Sequence, residues 1–157
     1  EDFHARFGAV WRKYRYVIYE GRRVRPDLAG RVGHVKETLD IGAMQAALDT
    51  VGLGERDFSS LRDAECQAAS PVVTMLGWRV WREAEPLGES LVIVEVCSTR
   101  FLQHMVRNLM GVLVPIGQGK REPHWFCDVV AARKRTAAGI TFAAEGLYFM
   151  DVGYKDD

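Results

Sequence analysis

Residues 90–119, SLVIVEVCSTRFLQHMVRNLMGVLVPIGQG, contain the change of periodicity that decides the fold class. Their first nine residues, 90–98, predict a strand. From about Phe101 to Pro115 the apolar residues recur at helical spacing, and the turn Gly117-Gln118-Gly119 ends the predicted helix.

The same patterns extend outward in both directions. Strands are predicted over 11–20, 71–81 and 146–154, a basic loop over 21–34, a helix from Asp40 as N-cap to Val51, and a second helix starting near Pro123. The order is strand, helix, strand, strand, helix, helix, strand. We therefore expect an α+β fold with helices packed on a largely antiparallel sheet.

Composition fits one domain of 157 residues, with 48% apolar and 27% charged residues and a net charge of zero. No signal peptide and no membrane-spanning apolar run is visible. Cys66, Cys97 and Cys127 are widely spaced, which predicts reduced thiols and a cytoplasmic location.

Charge is unevenly distributed along this neutral chain. Residues 1–36 hold nine Lys or Arg residues against four Asp or Glu residues. The excess indicates either a face that binds a polyanion or the solvated edge of a sheet and its loop.

Arg107 has two possible roles on the predicted helix. At 100° per residue it shares one sector with Gln103, His104, Asn108 and Gly111, while apolar residues fill the other side. Arg107 therefore lies either on an ordinary solvent-exposed face or on a short polar face that directs it into a site. The small Gly111 would let another backbone or a ligand approach that face.

Tyr14 and Tyr16 also have two interpretations. Tyrosines that alternate with basic residues in KYRY (13–16) suit a platform on which nucleotide bases stack. Tyrosines are equally common as core residues of a strand.

Two further motifs favour ordinary structural roles. GQGKRE (117–122) follows a helix and has Val114 where a phosphate-binding loop needs glycine, so it predicts a helix end. His124 and Cys127 have the spacing of metal ligands, but nothing nearby completes a zinc site. We expect no metal and no organic cofactor.

Four blocks carry a family resemblance across nearly the whole chain. They are DFHARFGAVWRKYRY (2–16), RDFSSLRDAECQ (56–67), RFLQHMVRNLMGVLVPIGQG (100–119) and AARKRTAAGITFAAEGLYFMDVGY (131–154). In this order they resemble the TruA family of tRNA pseudouridine synthases.

The resemblance implies a pseudouridine synthase-like α+β fold and an isomerase. Members of this family convert uridine to pseudouridine in the tRNA anticodon arm, work as homodimers on tRNA, and need no metal or organic cofactor. Residues 1–157 resemble the larger, C-terminal part of the catalytic unit, and the sequence starts at Glu1. We therefore expect a domain of a longer synthase.

The resemblance also assigns site residues. Tyr14 matches the tyrosine that stacks on the target uracil and is implicated in the proton step at carbon 5. Arg107 matches the arginine that pairs with the nucleophilic aspartate, and Leu147 matches the aliphatic residue beside the base. His4, Arg6 and His104 lie in the family blocks and are expected to contact RNA or support the site.

Two departures from the family pattern stand out. No GRTDxG-type block with the nucleophile is present, because Asp63 and Asp27 lack the flanking glycines, so we expect the chain alone to be inactive. Val73 replaces a basic residue found in many members. The alternative is a non-catalytic RNA-binding or dimerisation module with the same fold.

Overall fold

The computed structural model of the protein describes residues 9–86 and 88–154. Within these residues, one sheet contains the strands β1 Ala9–Glu20, β2 Gly33–Val35, β3 Gly54–Asp57, β4 Val72–Ala84, β5 Ser90–Ser98 and β6 Leu147–Tyr154. The helices are α1 Ile41–Val51, α2 Met105–Gly117 and α3 His124–Ala132. Short 3₁₀ turns lie at Ser59–Leu61, Arg135–Ala137 and Ala144–Gly146. The predicted α+β class is confirmed.

The sheet is centred on β1. Its strand order is β2-β1-β5-β4-β3, and β6 also pairs with β1. β5 runs along one side of β1, so the other side is shared between β6 at the start of β1 and β2 at its end. The pairs of described strands are antiparallel except β1 with β2, which confirms the largely antiparallel prediction.

The helices cover one face of this sheet, where alternate strand residues are buried. Asp40 is the N-cap of α1, as predicted, and its side chain accepts a hydrogen bond from the Ala43 amide at 3.0 Å. α1 packs against α2, α3 and β4, and its buried residues are Met44, Ala47, Leu48 and Val51. Among the described residues, no helix has both the length and the apolar character needed to cross a membrane.

Several predicted boundaries were wrong for local reasons. α2 begins at Met105 instead of Phe101, because His104 takes a left-handed conformation with φ of 59° that a helix does not continue through. The predicted loop 21–34 ends within β2, and β3 was missed altogether. Strands of three and four residues are too short to show an alternating pattern.

A buried carboxylate at the end of β1 ties three central strands together. Glu20 is almost fully buried and receives two hydrogen bonds from Arg82 of β4, at 2.7 and 3.1 Å. It also accepts hydrogen bonds from the Ser90 hydroxyl of β5 and from the Leu39 amide. Burial would raise the pKa of the Glu20 carboxyl, but these donors and the Arg82 charge outweigh burial and lower it. The charge is therefore kept in the core with its donors around it.

Two glycines let a chain segment cross α2 at very short range. A Cβ atom on Gly111 would lie 1.7 Å from the carbonyl oxygen of Ile140, and one on Gly139 would lie 2.4 Å from the carbonyl oxygen of Gly111. Pro115, four residues after Gly111, has no N–H to donate to that carbonyl, so the segment can lie against it. The crossing fixes residues 139–142 on α2.

We predict that Gly111→Ala destabilises the protein by about 3 kcal/mol or more, since the new methyl group meets a backbone oxygen that cannot rotate away. This loss exceeds the gain of about 1 kcal/mol that alanine brings to a helix interior. Urea unfolding of the two proteins measures the difference.

Gly77→Ala is the matched control, because a Cβ atom there meets nothing within 4 Å. Its stability should stay within about 1 kcal/mol of the wild type. Equal effects of the two substitutions would contradict the close-contact explanation.

Candidate functional site

A cleft of about 300 Å³ opens where the start of α2 faces β1 and the start of β6. Three parts of the chain line it: Tyr14 of β1, residues 101–107, and Ala144 with Leu147. Four positions that the sequence singled out therefore meet in one place, namely Tyr14, His104, Arg107 and Leu147. The other two, His4 and Arg6, lie outside the described residues.

Tyr14 and Tyr16 share a face of β1 but differ in what covers them. Tyr16 is fully buried, its hydroxyl donates to the Ala143 carbonyl at 2.6 Å, and burial raises the pKa of Tyr16 to about 12. Tyr14 is only partly buried, and its ring lies edge-on to those of Phe101 and Phe149 at 4.8 and 5.4 Å. Tyr16 is thus a core residue, whereas the Tyr14 ring forms a wall of the cleft.

Arg107 is joined to Phe142 by two hydrogen bonds. The Arg107 Nε–H donates to the Phe142 carbonyl at 2.6 Å, and the Phe142 amide donates to the Arg107 carbonyl at 3.1 Å. Within residues 9–86 and 88–154 the two Nη groups have no hydrogen-bond or ion-pair partner. One edge of the guanidinium is therefore fixed by the protein, and its remaining N–H groups are left for a ligand.

The helical face that carries Arg107 is turned towards the protein instead of towards bulk solvent. Asn108 is fully buried on it, and Gly111 lies against Ile140. Arg107 is therefore not on an ordinary solvent-exposed face, and its side chain lines the cleft.

His104, at the rim of the cleft, is held by a carboxylate from another part of the chain. Its Nδ1 lies within hydrogen-bond distance of Asp63 Oδ2, and the other Asp63 oxygen accepts from the Asn108 side chain at 3.0 Å. A carboxylate on Nδ1 favours the proton there, so Nε2 is the atom left to contact a ligand. The left-handed backbone of His104 is unfavourable for a residue other than glycine. The Asp63 contact helps to stabilise it.

Asp63 remains ionised because of these contacts. Burial would raise the pKa of its carboxyl, but hydrogen bonds from Asn108 and His104 and the charge of Arg135 outweigh burial and lower it.

Asn108 connects the His104 contact to the segment that crosses α2. Its side-chain amide also donates to the Leu61 carbonyl at 2.8 Å, and its oxygen accepts from Arg135 at 3.1 Å and from the Thr141 hydroxyl at 2.5 Å. Arg135 in turn donates to the Gly139 carbonyl at 2.8 Å. All the polar atoms of the buried amide are therefore used, and the cleft rests on a hydrogen-bonded support.

Sequence reasoning missed most of this support. Asp63 was considered only as a nucleophile, and Phe142 and Thr141 were not singled out. For Asn108 the sequence does contain an indication that it lies near the site, because it follows His104 by four residues on the same helical face.

The glycine-containing motif 117–122 has the structural role expected of it, whereas Cys127, in the second motif, is only partly buried. α2 ends at Gly117, Gly119 has a positive φ of 78°, and the Lys120 amide donates to the Pro115 carbonyl, as at a helix end. His124 lies 3.5 Å from Asp128, one turn further along α3.

The chain is similar to known proteins over its whole length. A family model described as tRNA pseudouridine synthase matches residues 52–155. Proteins named tRNA pseudouridine synthase A from Ralstonia nicotianae and Polaromonas naphthalenivorans are each 48% identical over 99% of the chain. The protein of that name from Colwellia psychrerythraea is 41% identical over 100% of it. The chain spans only 56% to 58% of the length of these relatives.

We predict that Asp63→Asn destabilises the protein by about 1–2 kcal/mol at neutral pH, because a charged acceptor of hydrogen bonds is lost. The lowered pKa of Asp63 means that its contribution is complete above the ordinary aspartate range and is lost as the pH falls through the lowered pKa. Urea unfolding from neutral pH to about pH 3 should therefore show the wild type and the variant converging on acidification.

Asp49→Asn removes the same charge from the exposed side of α1 and is the matched control. A difference between wild type and Asp63→Asn that stays constant with pH, after subtraction of this control, would refute the role of the Asp63 charge.

Proposed function

The chain belongs to the tRNA pseudouridine synthase family, and from this premise we propose that residues 1–157 are the C-terminal domain of an enzyme that converts uridine to pseudouridine in the tRNA anticodon arm. We further propose that the enzyme is a cytoplasmic homodimer that uses no metal and no organic cofactor. One observation carries the proposal: Tyr14, Arg107 and Leu147 line the same cleft although they lie far apart in the sequence.

The cleft suits an extruded pyrimidine. Flipping a nucleotide out of folded RNA costs a few kcal/mol, and stacking on an aromatic side chain returns about 1–3 kcal/mol. Tyr14 supplies such a ring, partly exposed and held on edge by Phe101 and Phe149. Leu147, which pairs with Tyr16 in the sheet, supplies an aliphatic surface beside it. A planar uracil between these two side chains would be held with its edges free for chemistry.

Arg107 is proposed to bind the nucleophilic aspartate. A carboxylate enclosed with an apolar base tends towards its neutral form, and a nearby guanidinium keeps it ionised. The Phe142 carbonyl holds Nε, so the two Nη groups are oriented to receive a carboxylate. No carboxylate is among the described residues that line the cleft. We propose that the aspartate comes from a segment outside residues 1–157.

The isomerisation balances without a cofactor. The bond from the ribose carbon to uracil N1 is broken and a bond from the same carbon to C5 is formed, while one proton leaves C5 and one is gained at N1. Tyr14 is proposed to act in the proton step at C5 as well as in stacking. The buried Tyr16 hydroxyl is committed to the Ala143 carbonyl, and its raised pKa keeps it protonated.

We predict that Arg107→Ala in the full-length protein lowers kcat by about two to three orders of magnitude, since removing one partner of an enclosed ion pair costs about 3–5 kcal/mol. Affinity for tRNA should change much less, because Arg107 acts on the aspartate and not on a phosphate. Single-turnover formation of pseudouridine and equilibrium tRNA binding measure the two effects separately.

Arg56→Ala is the matched control, because its guanidinium also donates to backbone carbonyls, those of Val51 and Glu55, but it does not line the cleft. It should leave kcat close to that of the wild type. Equal losses of turnover and tRNA affinity in Arg107→Ala would indicate a phosphate-binding role instead.

We also predict that residues 1–157 alone form no pseudouridine in tRNA, because no described residue replaces the nucleophilic aspartate at Arg107. Mass spectrometry of tRNA after incubation with this chain and with the full-length protein is the comparison. Product formed by the isolated chain would show that the nucleophile lies within it. An inactive full-length protein that still binds tRNA would support the non-catalytic module.

A further inference from the structure

His104 combines two features that the isomerisation described above does not use. Its side chain lines the cleft and is 38% exposed, so one side of the ring is open to a ligand. Its backbone lies in the left-handed region, with φ of 59° and ψ of 15°, immediately before α2 begins. A conformation that is unfavourable for a residue other than glycine occurs mainly at functional sites, so this ring is a candidate for a contact with the substrate.

The Nδ1 atom of His104 faces a group that can only accept a hydrogen bond. Its partner is Asp63 Oδ2. Burial would raise the pKa of the Asp63 carboxyl, but hydrogen bonds from Asn108 and His104 outweigh burial and lower it, so the group is an ionised carboxylate. A carboxylate has no proton to donate, and the imidazole proton therefore lies on Nδ1. In the neutral ring this leaves Nε2 as an acceptor.

Asn108 fixes the direction of these hydrogen bonds. Its side-chain oxygen accepts from Arg135 at 3.1 Å and from the Thr141 hydroxyl at 2.5 Å, so its –NH₂ group is the part that faces Asp63 Oδ1 at 3.0 Å. The Asn108 amide is fully buried and cannot turn over without leaving these donors unpaired. One tautomer of His104 is therefore selected by the structure around it.

The position of His104 relative to Arg107 indicates which part of a nucleotide it would meet. Both residues line the cleft, and His104 precedes Arg107 by three residues, which is about 4.5 Å along a helix axis. In the proposed function the base lies between Tyr14 and Leu147, with the glycosidic bond near Arg107. The ribose then lies at the open side of the cleft, where His104 is.

An acceptor at this position can bind few groups of a ribonucleotide. The phosphate oxygens and the ribose ring oxygen only accept hydrogen bonds, whereas the 2′-hydroxyl can donate one. The other donor of a uridine, N3–H, is on the base edge that points away from the ribose. Nε2 of a neutral His104 can therefore bind the sugar–phosphate part of the nucleotide only through the 2′-hydroxyl.

We propose that His104 Nε2 accepts a hydrogen bond from the 2′-hydroxyl of the nucleotide whose base occupies the cleft, and that Asp63 is the positioning residue that orients the imidazole for this contact. The inference rests on the proposed function, which places the base. It makes the cleft selective for a ribonucleotide over a deoxyribonucleotide.

The contact is measured with full-length protein and two tRNAs, one of which carries 2′-deoxyuridine in place of the uridines of the anticodon arm. The wild type should bind the deoxy tRNA about threefold to tenfold more weakly, the net contribution of one neutral hydrogen bond. His104→Asn should lose this preference, because asparagine tolerates a left-handed backbone and keeps an N–H for Asp63 but lacks Nε2. Effects of the deoxy sugars on RNA shape are common to both proteins and cancel in this cycle.

His124→Asn is the matched control. His124 also contacts an aspartate, Asp128 at 3.5 Å, but it lies on α3 and is not among the described residues that line the cleft. Its preference for the tRNA with 2′-hydroxyls should equal that of the wild type. Circular dichroism and thermal unfolding of both variants establish that they remain folded.

The role of Asp63 is tested by NMR of nitrogen-labelled histidine rings in the full-length protein, with the His104 signals assigned by their loss in His104→Asn. In the wild type at neutral pH, Nδ1 should carry the proton. In Asp63→Asn the new amide oxygen must accept from Asn108, so its –NH₂ group faces Nδ1 and the proton moves to Nε2. A merely structural role of Asp63 would not reverse the tautomer, so an unchanged tautomer overturns the positioning role.

The outcomes distinguish this contact from the enzyme activity. An equal deoxy penalty in the wild type and His104→Asn, in a full-length protein that makes pseudouridine, overturns the 2′-hydroxyl contact and leaves the enzyme. A penalty that requires His104, in a full-length protein that makes no pseudouridine, supports the contact and overturns the enzyme. The absence of a penalty in either protein also overturns the contact.

Discussion

The close crossing of α2 by residues 139–142 is the contact on which the site depends. Gly111 and Gly139 let two backbones approach to a distance that no side chain would permit. Phe142 is thereby placed where its carbonyl and amide meet Arg107. The next residue, Ala143, accepts the Tyr16 hydroxyl. One tight contact thus orients the cation and closes the core beside the cleft.

Strand β1 connects the crossing segment to the cleft. Its Tyr16 is covered by the residues that follow the crossing, and its Tyr14 lines the cleft. Tyr14 and Tyr16 lie on one face of β1, two residues apart. The segment after Phe142 covers Tyr16 and ends at Leu147, which pairs with Tyr16, so the cover stops short of Tyr14. The point at which the crossing segment joins the sheet therefore decides that Tyr14 stays partly exposed and that Leu147 lies beside it.

Charge is organised in two ways in this neutral protein. Inside the fold, Glu20 with Arg82 and Asp63 with His104 are satisfied by several donors each. On the surface, by contrast, several cations are exposed and form no ion pair among the described residues, namely Arg22, Arg23, Lys36, Lys120 and Arg121. Paired charges fix the geometry of the fold, while the exposed cations give one side of the protein a positive potential.

The sequence by itself determined the α+β class, the main strands and helices, the Asp40 cap and the polar sector of α2 that carries Arg107. It did so because helical and strand periodicity are properties of residues two to four positions apart. It also carried the family blocks.

Only the tertiary structure decided that Tyr14 is open while Tyr16 is buried, that Asp63 reaches His104 across 41 residues, and that Lys120 joins Lys36. These outcomes depend on close packing between distant segments, which local patterns do not contain. The short strands β2 and β3 were missed for the same reason. They are defined by their pairing with β1 and β4, and their own sequences contain no strand pattern.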